Sequence, residues 1–302
     1  MVSVVAKTSR PRGIRPTRGY RVFQAVNGVV LTVIVVVTLI PFANIIARSF
    51  SAEGPIRAGE VSLWPKGFNL TTYGRVMTDS LFWTNYRNTV VYTVVATAIA
   101  MVMTTCYAYV LSKKHLKGRG VLVGIAVFTM FFNGGLIPNY VLVNSLGMRN
   151  TIWAIVVPNA INVFNLLVMK AFFESLPTEL EEAAAVDGMN TYRTFLWIVL
   201  PLSKAVLATM VLFYAVSFWN SWFSAFLYMD RQDLFPVTVY LRNMIVGATT
   251  GSDNSSSSDF ALQVGANIRA VTVVLTALPI MLIYPFIQRY FVSGVMLGSV
   301  KG

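Results

Sequence analysis

The chain has 302 residues, of which 56% are hydrophobic and only 12% charged; a soluble protein carries about 25% charged residues, so this one is not built to face water on every side. Its net charge of +12 gathers at the ends of apolar runs, which membrane topology explains without invoking nucleic acid. The single Cys106 and the single His115 exclude a disulfide framework within the chain, a thiolate metal cluster and a multi-histidine metal site.

Residues 1–21 hold Lys7, Arg10, Arg12, Arg15, Arg18 and Arg21 and no acid. The apolar run at 22–47 is longer than the roughly 7–15-residue core of a signal peptide, and so reads as a retained span. Further runs follow at 86–111, 121–143, 151–173, 205–228 and 270–291. Each is close to the roughly 20 apolar residues that cross about 30 Å of hydrocarbon. The expected fold class is therefore an all-α membrane protein with six transmembrane helices. It forms one domain over 22–302, behind a basic N-terminal arm at 1–21. No fixed-period repeat is visible.

Six spans put both ends of the chain on one side. The arm and the cluster Lys113, Lys114, Lys117 and Arg119 make that side cytoplasmic by the positive-inside rule. The connections at 48–85, 144–150 and 229–269 then lie outside, while 174–204 and the tail at 292–302 lie inside. The first outer connection carries Trp64, Pro65, Phe68 and Tyr73, and reads as a packed cap with a short interfacial helix. The stretch 247–259, GATTGSDNSSSSD, is low-complexity and reads as flexible. The third span contains NGGLIPNY at 133–140. Pro138 should bend it, and the bared backbone should then face protein or water. A kink used only for packing explains the same residues equally well.

All twelve acids fall outside the six spans or at their edges. Ion-coupled transporters usually place ionisable groups within the membrane, and no Gly-Lys pair exists from which to build a phosphate-binding loop. Paired carboxylates, a Ser/His/Asp set and metal ligands are all lacking, so the chain is expected not to be an enzyme. Any uphill transport must draw its energy from another subunit.

The acids collect instead at Glu174, Glu179, Glu181, Glu182 and Asp187. Thr178 and Glu181 form a T-x-x-E capping box after Pro177, and the nearby acids suit a helix N-terminus. Ala183, Ala184 and Ala185 propagate that helix and leave a smooth surface, and Gly188 can end it in a left-handed conformation. Asn190 can cap a second helix through Leu200, stopped by Pro201. Read from physics alone, this helix–turn–helix is an amphipathic link lying on the membrane surface.

The segment also resembles a known motif. Glu182-Ala183-Ala184, three residues, Gly188, nine residues, then Ile198, Leu200 and Pro201 match the EAA-x3-G-x9-I-x-L-P pattern of bacterial ATP-binding-cassette (ABC) transporter permeases. The similarity extends over nearly the whole chain and is to the carbohydrate-uptake, maltose-type branch with its type I importer fold. The stretches GEVSLWPKGFNLTTY and FNGGLIPNY resemble permeases for oligosaccharides of pectin or alginate type. The resemblance implies that Glu182, Ala183, Ala184, Asp187, Gly188, Ile198, Leu200 and Pro201 dock on an ATPase, with Glu182 as the anchoring acid. It implies that the tail, with Gly298, Lys301 and Gly302, reaches between the ATPase subunits. The implied partners are a second, different permease, two ATPase subunits that bind the ATP, an extracytoplasmic solute-binding protein and the sugar itself. The implied setting is the bacterial inner membrane, with no cofactor held by this chain. The Ser-rich outer stretch matches no part of this pattern.

A sugar path needs amides and aromatic faces within an apolar wall. Asn159, Asn162 and Asn165 recur at three-residue spacing, near one helix face, and Trp219, Asn220 and Trp222 close the fifth span. Packing between helices is the plainer reading of each Asn, and an interfacial anchor explains Trp219 and Trp222 equally well. The leading expectation is a permease subunit of an ATP-driven sugar importer. An ATPase-independent channel or secondary transporter is the alternative, and a membrane-embedded enzyme a third class.

Overall fold

The computed structural model describes residues 17–250 and 266–299, and among these it is helical with no strand. Three helices are long and apolar enough to cross a membrane, and six crossings result when each bent helix pair counts as one. The six expected spans thus form, although half of them are broken.

Helix α1 (Arg18–Ser49) is apolar all round, is exposed along most of its length, and lies against the last helix. The connection after it is the packed cap that its aromatic residues suggest, built on two short helices, α2 (Glu53–Arg57) and α3 (Thr71–Thr78). Phe50 stacks between Phe68 and Tyr73, with ring centroids 5.8 and 5.1 Å away. Trp64, 81% exposed, projects from it.

Helix α4 (Ser80–Ser112) is the axle of the bundle, and it starts earlier than its apolar run because Asp79 caps it through the Leu81 N–H. It contains no Gly or Pro. The middle of its buried face is made of small residues, among them Thr89, Thr93, Ala96, Ala100, Thr104 and Ala108. Small side chains let neighbouring helices approach closely where hydrophobicity alone gives no drive to associate.

The third crossing breaks as its Gly pair allows. Helices α5 (Arg119–Phe131) and α6 (Leu136–Ser145) meet at 114°. The break sits at the glycines, where Gly135 takes φ +91°, and not at Pro138, which lies in the first turn of α6 where its missing N–H costs nothing. Residues 132–139 are exposed in this chain. The fourth crossing is α7 (Trp153–Val156) with a 3₁₀ turn to Asn159, then α8 (Val163–Glu174), bent by 50°.

After the acidic segment come α9 (Glu179–Val186), α10 (Thr191–Thr194), a π turn (Phe195–Val199) and α11 (Leu200–Leu202). Pro201 does not stop this run, because it falls at the start of α11, and the chain turns by 81° only at Ser203, into α12 (Lys204–Trp219). The short α13 (Phe223–Tyr228) completes the stretch read as the fifth span. Helix α14 (Val237–Thr250) was hidden in what the sequence presents as an outer loop, so 247–250 are helical, while 251–259 lie outside the described residues. Helix α15 (Ala266–Ser299) is the last crossing.

Two apolar layers stack along the bundle. One centres on Leu111, Leu166, Met169, Val199 and Met210, the other on Ala96, Ala100, Val156, Tyr214 and Val239.

Candidate functional site

The acidic segment forms a projecting elbow. Thr178 does not act as the expected side-chain cap: its backbone is already helical, and its carbonyl accepts the N–H groups of Glu181 and Glu182 at 3.0 and 3.1 Å. Glu181 is thereby released for a different bond, an ion pair with Lys113 at the end of α4. The exit of the elbow is capped as expected. Gly188 sits at φ +77°. The Met189 N–H donates to the Ala184 carbonyl at 2.9 Å, and the Gly188 N–H to that of Ala185 at 3.1 Å, the paired bonds of a left-handed helix stop. Asn190 Oδ1 accepts the Arg193 N–H at 2.9 Å and starts α10.

The alanine run is not uniformly a surface. Ala184 is only 3% exposed and packs inward, leaving Ala183 and Ala185 outside with Glu182, Asp187 and Gly188. Large apolar groups stand out beside them: Val186 is 88% exposed, Tyr192 69% and Trp197 75%. The second half of the motif, Ile198, Leu200 and Pro201, lies in the π turn and α11, with Ile198 and Leu200 half-buried and Pro201 exposed. A π turn inserts one residue per turn, and such turns cluster at functional sites.

The elbow is tied to the bundle at both roots. Glu174, at the end of α8, pairs with Arg119 and with Lys170, the latter at 2.9 Å. Arg119 Nε also donates to the Leu111 carbonyl at 2.7 Å. Tyr109 stacks on Phe195 with centroids 4.5 Å apart, and Lys113 Nζ lies 4.0 Å from the centre of the Tyr109 ring.

Between the fourth crossing and α12 lies a cavity of about 920 Å³. Asn159, Asn162 and Asn165 line it, though not as one helix face. Asn159 lies in the 3₁₀ turn, with its Nδ2 donating to the Ile155 carbonyl at 2.9 Å. Asn162 is extended and caps α8 through the Asn165 N–H at 3.1 Å. Asn165 is buried on α8. The bend in the chain, rather than helical periodicity, is what gathers them. Opposite stand Tyr214, Ser217 and Ser221, with Phe164, Phe213 and Phe218 supplying ring faces.

Tyr214 closes the break in span four. Its hydroxyl oxygen accepts the Asn162 N–H at 3.0 Å and lies 2.6 Å from Thr104 Oγ1. Nothing in the sequence marks this tyrosine, because its partners lie 52 and 110 residues away. Trp219 and Asn220 do not line the cavity. Trp219 is buried against α15, where Nε1 donates to the Thr276 carbonyl at 3.2 Å, so it is not an interfacial anchor. Asn220 Nδ2 donates to the Val216 carbonyl at 2.9 Å on the exposed side of its own helix. Trp222 is stacked beneath Arg242, 5.0 Å away. Gly298 lies in the last turns of α15, and Lys301 and Gly302 lie outside the described residues. Among the described residues, no three His, Cys, Asp or Glu side chains gather as a metal site.

Residues 116–296 match the family described as binding-protein-dependent transport system inner membrane component. The chain is 40% identical to protein LplC of Bacillus subtilis, over 95% of this chain and 97% of that one. It is 38% identical to the polygalacturonan/rhamnogalacturonan transport system permease protein YtcP of the same organism, over 90% and 96%. Among solved structures, it superposes with a TM-score of 0.82 and 33% identity on a chain of a bacterial ABC transporter involved in the import of the acidic polysaccharide alginate. That match covers 91% of this chain and 99% of the other.

Proposed function

Because the chain belongs to the family of binding-protein-dependent transport system inner membrane components, we propose that it is a transmembrane permease subunit of an ATP-driven importer of sugars. Its cargo is an oligosaccharide from complex plant or algal polysaccharides. The relatives named for polygalacturonan and rhamnogalacturonan transport and for alginate import support that class. So does the cavity, where amides, hydroxyls and ring faces offer what a sugar needs.

The observation that carries the reading is the projecting elbow at 182–197. A protein surface rarely leaves Val186, Tyr192 and Trp197 exposed together beside acids unless a partner covers them. That partner is an ATPase subunit, met through Glu182, Ala183, Asp187 and Gly188, with Ala184, Ile198, Leu200 and Pro201 setting the shape behind. ATP is bound there and not by this chain. The tail, with Gly298, Lys301 and Gly302, follows α15 to the same partner. The elbow, the basic cluster and both termini lie on the cytoplasmic side.

The cavity is bounded here by one chain only, and a second, different permease completes the path. The bared break at 132–139 supports this, because backbone polar groups at membrane depth need a protein or aqueous partner. An external solute-binding protein delivers the sugar at the far end. Transport proceeds by alternating access, with nucleotide shifting the populations of two states.

The test is uptake by the assembled transporter. Glu182→Lys, and Gly188→Val, which forces a branched residue into the left-handed region, abolish uptake while leaving membrane insertion intact. Normal uptake in both variants, or transport in liposomes lacking the ATPase, overturns the assignment.

A further inference from the structure

Resting on that reading of the elbow, we propose that Lys113 and Glu181 form the joint through which the elbow moves α4. Helix α4 in turn carries the displacement to the segment at 233–240 at the far end of the bundle.

The near end of α4 is gripped from both arms of the elbow. Glu181, on the first arm, pairs with Lys113, and both side chains are mostly shielded from solvent. Phe195, on the second arm, stacks on Tyr109, four residues before Lys113, and Lys113 itself lies over the same ring. A push on α9 therefore cannot shift the elbow without loading Tyr109 and Lys113. Such a pair is screened by salt far less than an exposed one.

The shaft is stiff. Helix α4 runs for 33 residues without Gly or Pro, which makes it roughly 50 Å long at 1.5 Å per residue. The two residue types that most often kink a helix are missing from it.

The far end holds a loop by its backbone. Asn88 Nδ2 donates to the carbonyls of Asp233 and Phe235 at 2.7 and 3.2 Å. The Tyr92 hydroxyl donates to the Leu234 carbonyl at 2.9 Å, and Thr89 Oγ1 accepts the Val237 N–H at 2.7 Å. Tyr240 donates its hydroxyl to Asp79, the cap of α4, at 2.6 Å. A segment bonded through its main chain to successive turns of one helix follows that helix. Lys113 and Glu181 are positioning residues here: they touch neither nucleotide nor sugar.

The experiment uses the assembled transporter with its ATPase subunits, binding protein and an oligogalacturonide or alginate oligosaccharide that the wild type accumulates. Sugar transported per ATP hydrolysed is measured for Lys113→Glu, Glu181→Lys, the exchanged pair and Lys113→Arg. A coupling free energy of ordinary size predicts a loss of about 5-fold or more in each single reversal. The exchanged pair and Lys113→Arg recover most of it. Asn88→Leu with Tyr92→Phe, at the far end, lowers the same ratio without disturbing the joint.

Single reversals with the wild-type ratio overturn the proposal. So does an exchanged pair that restores assembly but not sugar per ATP, since the contact would then be structural only. If the wild-type complex imports none of these sugars, the functional reading fails instead, and the two failures are thereby distinguished.

Discussion

Ion pairs occur at both ends of this bundle, and the difference lies in what accompanies them. At the end bearing the elbow, contacts between loops are ion pairs, Lys113 with Glu181 and Arg119 with Glu174, and large apolar groups are left uncovered. At the opposite end, ion pairs such as Arg149 with Asp230 and Arg57 with Glu53 are joined by neutral amides that bond the backbone. Asn267 Nδ2 lies 2.8, 3.2 and 2.6 Å from the carbonyls of Arg48, Ser49 and Ser51. Asn44 holds Ser62 at 2.7 Å, and Asn150 Oδ1 accepts the Asp230 N–H at 2.7 Å. Ion pairs between mobile side chains tolerate small shifts, whereas an amide fitted to several carbonyls does not. One end is tied at a joint of ion pairs beside uncovered apolar groups, and the other is held by a clasp of amides.

The strongest challenge to that contrast is Asn267→Leu. It removes the amide donor from the Ser49 and Ser51 carbonyls, while the Arg48 carbonyl keeps the Ser51 N–H at 3.1 Å; each unsatisfied buried group costs about 1–3 kcal/mol. Thermal unfolding in detergent should show a loss of several kcal/mol, on the order of the largest single-site effects. An unchanged transition would mean that the amide does not hold the clasp.

A smaller effect comes from acid. Glu53 is partly desolvated, which raises its pKa, but hydrogen bonds from Arg57 and from the Asn267 and Ala266 N–H groups outweigh this and leave it lowered. Asp230 is lowered by hydrogen bonds from Asn150 and Arg149 and by the charge of Arg149. Carboxyls depressed in the folded state contribute stability above their unfolded values and lose it as the pH falls through the folded ones. The melting temperature should therefore hold steady near neutrality and fall below the ordinary carboxylate range. Asp230→Asn should flatten that fall, and an equally steep fall in the variant would remove Asp230 as a cause.

The smallest expected change is Lys66→Ala. Its pair with Glu60 is more than half exposed on both sides, at 3.3 Å. Such pairs contribute about 0–1 kcal/mol, so the melting curve should barely move. A large shift would show that surface charge, and not the amide clasp, organises this end.

Legibility in the sequence follows the same divide. The elbow could be read because its signals are local: Gly188 and Asn190 act within a few residues, and the motif spacing is carried by one stretch of chain. The same local logic failed at Thr178, where a competing partner from α4 claimed Glu181. It failed again at 159–165, where periodicity assumed one helix and the chain bends. Helix α14 escaped notice because it is short and flanked by polar residues, and so did Tyr214, whose role exists only through the break that it closes.

By itself, the order of residues determined the number of crossings, the all-helical class and the turn of the elbow at Gly188 and Asn190, because hydrocarbon thickness and backbone capping act on contiguous chain. Tertiary structure alone decided which asparagines face the cavity, that Trp219 turns away from it, and that Glu181 meets Lys113 across 68 positions. Those outcomes depend on how helices lean and break against one another, and no window along the chain contains that information.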